Sequence, residues 1–201
     1  MFKNTLCILG LLLSFSSYSA EKYIMVVFHG LGGFEANSMK EEANIPAVLS
    51  GVGITKFYNA GHSVSDQKFT ELLNNFNCRS GARMNKDLGL IIVGYSWGAR
   101  KSYEFSKTYE KKCGVKADRA YMIDGIQKLV GQFKDAPVAK ICKNYYKTIS
   151  PIRGRALDNC ENTNLTEICK IEGGQYLEGM PCHQAVLKEG FKMVMQNIQS
   201  M

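Results

Sequence analysis

The chain has 201 residues, of which 45% are hydrophobic and 21% charged, and its formal net charge is +7. This length and balance are typical of one globular domain and argue against a disordered chain, a collagen-like repeat or a coiled coil. The positive charge permits peripheral contact with an anionic envelope surface. No nucleic-acid-binding motif accompanies it, so we expect no nucleic-acid partner.

The N-terminus has the pattern of a secretory signal peptide. Lys3 precedes an apolar run from Thr5 to Phe15, and small residues follow around Ser17 and Ser19. The apolar run is too short to span a bilayer, which takes roughly 20 residues. We therefore predict a signal peptide over residues 1–19, cleaved after residue 19 or 20, and one domain over residues 20–201 of a secreted or periplasmic protein.

The cysteines support export. Six follow the predicted signal peptide: Cys78, Cys113, Cys142, Cys160, Cys169 and Cys182. An even number in an exported domain predicts disulfides, and six cysteines allow 15 pairings. Closeness in sequence suggests that Cys160 pairs with Cys169, and the other two pairs stay open. No two cysteines have Cys-x-x-Cys spacing, so neither a zinc site nor a thioredoxin-like site is expected.

Apolar runs alternate with amphipathic segments along the rest of the chain. The runs predict strands over residues 23–28, 54–58, 88–93, 120–123 and 141–146. Helical spacing predicts helices over about 38–49, 66–76, 97–112 and 184–199, with a short helix at 127–136 and a loop-rich region over 150–182. This alternation predicts an α/β fold with a mostly parallel central sheet and helices on both faces.

The candidate nucleophile is Ser96, at the centre of the G-x-S-x-G sequence of residues 94–98. An apolar strand precedes this motif and a helix follows it. In such a strand–turn–helix elbow, the flanking glycines let the backbone pack closely and the serine hydroxyl stands clear at the end of the sheet. The N-terminus of the helix adds free N–H groups. Tyr95, beside the serine, is expected to line a substrate pocket.

A second motif, His29-Gly30-Leu31-Gly32-Gly33, follows the first predicted strand. Acyl transfer builds negative charge on the former carbonyl oxygen, which needs fixed hydrogen-bond donors. The backbone N–H groups of Trp97 and Leu31 are the predicted donors, with Gly32 as the alternative to Leu31. His29 is expected to shape this loop and to border the substrate pocket.

The two motifs, in this order, resemble the α/β-hydrolase superfamily, in particular its small secreted lipases and esterases. The resemblance is specific at residues 28–34, 93–99 and 121–125 and at His183, and it covers residues 23–198 by the order of elements. It implies a single minimal α/β-hydrolase domain. The chain departs from the family by starting at the family's third strand. It also has no room for a large lid, which implies an open or shallow site similar to that of a cutinase.

The resemblance also implies the rest of a catalytic triad, in the chain order serine, acid, histidine. His183 lies after the last loop, where the family carries its base. His62 fits no family position and is expected at the surface. Asp124, which ends the fourth predicted strand, is preferred as the acid, and Asp158 or Glu161 is the alternative.

These residues predict a serine hydrolase that works through an acyl-enzyme, in which the acid orients the histidine and the histidine activates the serine. The favoured activity is hydrolysis of a small-molecule or lipid carboxylic ester, without metal or organic cofactor. A peptidase, a thioesterase or an envelope amidase is the alternative, and so is a non-catalytic binding domain on the same fold, because a fold does not set a function. The oligomeric state stays open.

Overall fold

The computed structural model describes residues 22–30, 51, 53–127 and 131–201. The predicted signal peptide and the helix predicted over 38–49 lie outside the described residues. So do Leu31 and Gly32, the two candidates for the second oxyanion donor.

Six strands form the central sheet: Lys22–His29 (β1), Ile54–Gly61 (β2), Leu88–Tyr95 (β5), Ala117–Ile123 (β6), Ala139–Tyr146 (β9) and Glu161–Asn164 (β10). Their spatial order is β10-β9-β6-β5-β1-β2, and every neighbouring pair is parallel. Two short antiparallel pairs lie outside this sheet: Cys78–Arg79 (β3) with Ala82–Arg83 (β4), and Ile126–Gln127 (β7) with Gly131–Gln132 (β8). The predicted α/β class is confirmed.

Three α-helices occur in the described part of the chain: Asp66–Asn74 (α1), Gly98–Cys113 (α2) and Gly179–Gln199 (α3). A short 3-10 helix covers Thr166–Cys169. All three α-helices contribute buried side chains to the core, so none of them forms a lid. None of them is long and apolar enough to cross a bilayer.

The two faces of β1 show why helices cover the sheet on both sides. The even-numbered residues from 24 to 28 belong to an apolar cluster with side chains of α1 and α2. The odd-numbered residues from 23 to 27 belong to a second cluster with side chains of α3. Successive side chains of a strand point to opposite faces, so an uninterrupted apolar run is buried only between two layers.

The short helix predicted over residues 127–136 was wrong. The backbone N–H of Ile126 donates to the carbonyl of Ser96 at 3.2 Å, and Gly131–Gln132 pairs with Ile126–Gln127 in a small hairpin. Glycine at 131 and proline at 137 are poor helix formers. Long-range hydrogen bonds therefore decide the conformation of this segment.

Strand β10 lies in the region predicted as loop. Its sequence, Glu-Asn-Thr-Asn, has no apolar run, because β10 is an edge strand with mostly exposed side chains. The other differences concern boundaries: β2 runs to 61 rather than 58, β6 begins at 117 rather than 120, β9 begins at 139 rather than 141, and α1 ends at 74. Because α3 begins at Gly179, His183 lies inside this helix rather than at its start.

The six cysteines form three disulfides: Cys78–Cys113, Cys142–Cys160 and Cys169–Cys182. The predicted Cys160–Cys169 pair was wrong. Strand β10 runs between those two cysteines, and four extended residues span about 13 Å, whereas a disulfide needs Cα atoms within about 7 Å. The register of β10, with Glu161 opposite Lys143, instead brings Cys160 next to Cys142.

Candidate active site

The carboxyl ends of five neighbouring strands bring candidate functional residues to one edge of the sheet. In spatial order these residues are Lys147 after β9, Asp124 after β6, Ser96 after β5, Gly30 after β1 and His62 after β2. In open parallel sheets, ligands bind outside the carboxyl ends of the strands. This edge of the sheet is therefore the candidate site.

Ser96 occupies a strained turn between β5 and α2. Its φ is 55°, in the left-handed region that residues other than glycine seldom adopt. Its backbone N–H donates to the carbonyl of Ile123 at 3.1 Å, and its carbonyl accepts the N–H of Ala99 at 3.1 Å. Contacts with the next strand and with the start of α2 thus hold the strained conformation in place.

The glycines on either side of Ser96 allow close packing of the turn. A Cβ atom on Gly94 would overlap the hydroxyl of Ser102, and one on Gly98 would overlap the carbonyl of Phe28. Gly98 therefore lets the start of α2 lie directly against the end of β1. The geometry accounts for both glycines of the G-x-S-x-G motif.

Gly30 lies against the candidate nucleophile. A Cβ atom added to Gly30 would be 2.8 Å from Ser96 Oγ and 3.2 Å from the backbone nitrogen of Trp97. The loop after β1 therefore begins beside both the serine hydroxyl and the N–H group predicted as an oxyanion donor.

Asp124 and His183 meet at the same edge, although 59 residues separate them in the chain. His183 Nδ1 lies 2.6 Å from Asp124 Oδ2, and the two side chains are 2% and 0% exposed. Since a carboxylate only accepts, Nδ1 donates this hydrogen bond, and in the neutral imidazole Nε2 then carries the lone pair. Nε2 is buried and has no hydrogen-bond partner among the described residues.

Tyr95 places the imidazole next to β5, the strand that ends directly before Ser96. The rings of Tyr95 and His183 are stacked, with centroids 4.9 Å apart and an interplanar angle of 27°. Burial, and next the charge of Asp124, raise the pKa of Tyr95, so its phenol stays protonated at neutral pH. Tyr95 directly precedes Ser96, so this stack keeps the ring of His183 near the elbow.

Lys147 is a second partner of the carboxylate. Its Nζ donates to Asp124 Oδ2 at 2.6 Å and also to the carbonyl of Ile152, and the side chains of the ion pair are both 0% exposed. Burial alone would raise the pKa of Asp124. Hydrogen bonds from His183 and Lys147, with the positive charges that these side chains carry when protonated, outweigh burial and hold the pKa of Asp124 below its usual value. Asp124 is therefore ionised at neutral pH.

The alternative acids lie elsewhere. Asp158 is exposed in the turn before β10. Glu161 is exposed on β10 and forms a salt bridge with Lys143 at 3.1 Å. Because His183 Nδ1 is bonded to Asp124, the geometry favours Asp124 as the acid.

The other two histidines lie around the elbow. His29 is half-buried, and its Nδ1–H donates to the carbonyl of Gly30 at 3.0 Å, within the loop it was expected to shape. His62 was expected at the surface, but it is half-buried and its ring packs edge-on against Trp97, with centroids 5.3 Å apart. His62 therefore borders the site next to the predicted oxyanion donor.

Sequence reasoning missed the roles of Lys147 and His62. Each residue follows a predicted strand, which is the available signal. Their proximity to the site depends on strand order: β9 lies beside β6, and β2 lies beside β1. A lysine after an apolar run otherwise suggests a solvated strand end.

No protein-family model, curated protein or solved structure matches this chain.

Proposed function

We propose that this protein is a serine hydrolase that cleaves carboxylic esters through an acyl-enzyme on Ser96. The observation that carries the proposal is the buried Asp124–His183 pair, in which His183 Nε2 has no hydrogen-bond partner among the described residues. The pair lies at the same edge of the sheet as Ser96, whose backbone is strained. A serine needs such a base, with its second nitrogen held by a carboxylate, to become nucleophilic.

The reaction has two steps. In the first, His183 Nε2 takes the Ser96 proton as Oγ attacks the ester carbonyl carbon, and the imidazolium then gives that proton to the leaving alcohol. In the second, His183 deprotonates a water molecule that attacks the acyl-enzyme and releases the carboxylic acid. Asp124 keeps Nδ1 protonated and stabilises the imidazolium. The N–H of Trp97 and a donor from the loop after Gly30 bind the oxyanion in both steps.

We also propose that the chain is a minimal α/β-hydrolase domain and is secreted or periplasmic. The parallel sheet, the order Ser96, Asp124, His183 and the elbow before α2 support the first proposal. Three disulfides support the second, because disulfides persist in oxidising compartments. Cell fractionation with N-terminal sequencing tests export. Recovery of the uncleaved chain in the cytosol would contradict it.

The first test is covalent labelling of the oxidised protein with a fluorophosphonate probe, which reacts with activated serines. Labelling should disappear in Ser96→Ala and fall on the order of 1,000-fold or more in His183→Gln and Asp124→Asn. Asp158→Asn is the matched control, because Asp158 is exposed and is not bonded to His183, and it should label at nearly the rate of the unaltered protein. Equal labelling of Ser96→Ala would refute the proposal.

Substrate class needs a second test. A series of nitrophenyl esters of increasing acyl length, set beside matched peptide amides, compares the two chemistries in one assay. We expect ester turnover that requires Ser96. Turnover of amides without esters would keep the serine mechanism and reject the esterase assignment.

A further inference from the structure

Lys147 has a place in this site that the two-step reaction does not require. Its side chain is 0% exposed, and its ammonium group donates to two acceptors, Asp124 Oδ2 and the carbonyl of Ile152. A fully buried lysine is rare and has to be paired. The reason for burying Lys147 therefore lies in what it does to its partner, the carboxylate of Asp124.

The carboxylate of Asp124 receives donors on both oxygens. Oδ2 is shared by Lys147 Nζ and His183 Nδ1, each at 2.6 Å. Oδ1 accepts the backbone N–H of Gly154 at 2.5 Å and that of Lys147 at 3.4 Å. Rotation of the carboxylate would break contacts on both oxygens at once. Its orientation, and with it the orientation of the imidazole, is therefore fixed.

The charges have a second consequence. The carboxylate of Asp124, after β6, is bonded to the His183 ring, Lys147, after β9, shares the same carboxylate oxygen, and Tyr95, on β5, stacks on the ring. Tyr95 is neutral, and the charges of Asp124 and Lys147 offset each other. A protonated His183 ring therefore lies beside an ion pair without net charge instead of beside an isolated carboxylate. The smaller attraction makes protonation of the ring less favourable in the absence of substrate.

We propose that Lys147 is a positioning residue that acts through Asp124, fixing the carboxylate and keeping the His183 base unprotonated to lower pH than an isolated Asp–His pair would. The proposal rests on the proposed function for its catalytic meaning. It predicts activity that extends into mildly acidic conditions.

The pH dependence of fluorophosphonate labelling tests the proposal. Lys147→Met removes both the charge and the donor, whereas Lys147→Gln removes the charge and keeps a donor. In both variants the midpoint of the acidic limb should move to higher pH by about one unit. Lys143→Met is the control, because it removes a lysine of β9, four residues before Lys147, whose partner Glu161 is exposed. The control should leave the midpoint in place.

A second readout does not depend on activity. Only three histidines occur in the chain, so NMR of the imidazole rings can follow His183, identified by its absence from His183→Gln. The His183 titration midpoint should rise in Lys147→Met. A rise in a protein that the probe never labels would reject the hydrolase and keep the electrostatic role. An active enzyme whose midpoints do not move would overturn the role of Lys147 alone.

Lys147 variants leave a carboxylate buried with fewer partners, so thermal melting has to accompany both readouts. If the single variants do not melt cooperatively, the comparison is the unaltered protein against Asp124→Asn/Lys147→Met, because removing both charges leaves neither one buried alone. The His183 midpoint should then stay near that of the unaltered protein. A midpoint well below it would overturn the proposal, since it would mean that the charge of Lys147 does not offset the charge of Asp124. A lower melting temperature of the single variants with unchanged midpoints would mean that the ion pair only supports the fold.

Discussion

The backbone of Ser96 is bonded on both sides to the segment that carries Asp124. Ser96 N–H donates to the carbonyl of Ile123, and Ser96 C=O accepts the N–H of Ile126, at 3.1 and 3.2 Å. Both Ser96 and Asp124 have positive φ, 55° and 43°. Two strained residues at the ends of neighbouring strands thus share one hydrogen-bonded frame, so a displacement of either turn is transmitted to the other.

Gly30→Ala should reduce labelling of Ser96 on the order of 100-fold, because the new methyl group would lie 2.8 Å from Oγ and displace it. The measurement is the second-order rate of fluorophosphonate labelling, with thermal melting as the check on folding. Gly51→Ala is the control, since no described atom lies within 4 Å of its Cβ position. An unchanged rate in Gly30→Ala would show that the loop gives way and does not define the site.

Gly154→Ala should weaken the hydrogen bonding that holds the carboxylate of Asp124 in place. Its Cβ would lie 2.9 Å from Asp124 Oδ1, which forces apart the short hydrogen bond between this oxygen and Gly154 N–H. Loss of that buried, charge-assisted bond should cost about 1.5–3 kcal/mol in the free energy of unfolding. Urea unfolding measures the change in the free energy of unfolding, with Gly51→Ala again as the control. Equal stability of the two variants would argue that the hydrogen bond from Gly154 N–H to Asp124 does not stabilise the fold.

Removing either of two disulfides should lower the stability of the fold, but removing only one of them should also slow labelling of Ser96. Cys169–Cys182 fixes the start of α3 one residue before His183, whereas Cys78–Cys113 lies at the far end of α2. Replacing either pair by serines should cost about 3 kcal/mol, and somewhat more for Cys78–Cys113, which closes the longer loop. Only the Cys169/Cys182 change should also slow labelling at a temperature where both variants are folded. Equal slowing by the two changes would remove the special role of the bond beside His183.

Acid should destabilise the protein through Asp124. Its pKa is lowered in the folded state, so as the pH falls below the ordinary value of 3.8 the unfolded chain binds a proton that the folded chain does not. The stability contributed by the ionised carboxylate is therefore present above that pH and is lost as the pH falls through the folded-state pKa. Melting temperatures between about pH 2 and 5 should fall more steeply for the unaltered protein than for Asp124→Asn. Parallel curves would contradict this assignment.

The apolar runs of β1, β5 and β6 made the α/β class predictable, because strands buried on both faces need no other context to be recognised. The polar edge strand β10 and the hairpin after Asp124 were not predictable in the same way. Their backbones are fixed by partners distant in sequence: Lys143 opposite Glu161, and the Ser96 carbonyl for Ile126. The conformational preference of a short segment does not depend on such distant partners, so it cannot predict them.

The sequence by itself determined the α/β class, the elbow around Ser96 and the number of cysteines available for pairing, because each depends on residues adjacent in the chain. Only the tertiary structure decided which carboxylate meets His183, which cysteines pair, and that a lysine is buried against the acid. Those relationships follow from the order and register of parallel strands. That order is set by the packing of the whole sheet between its two helical layers, not by any one segment.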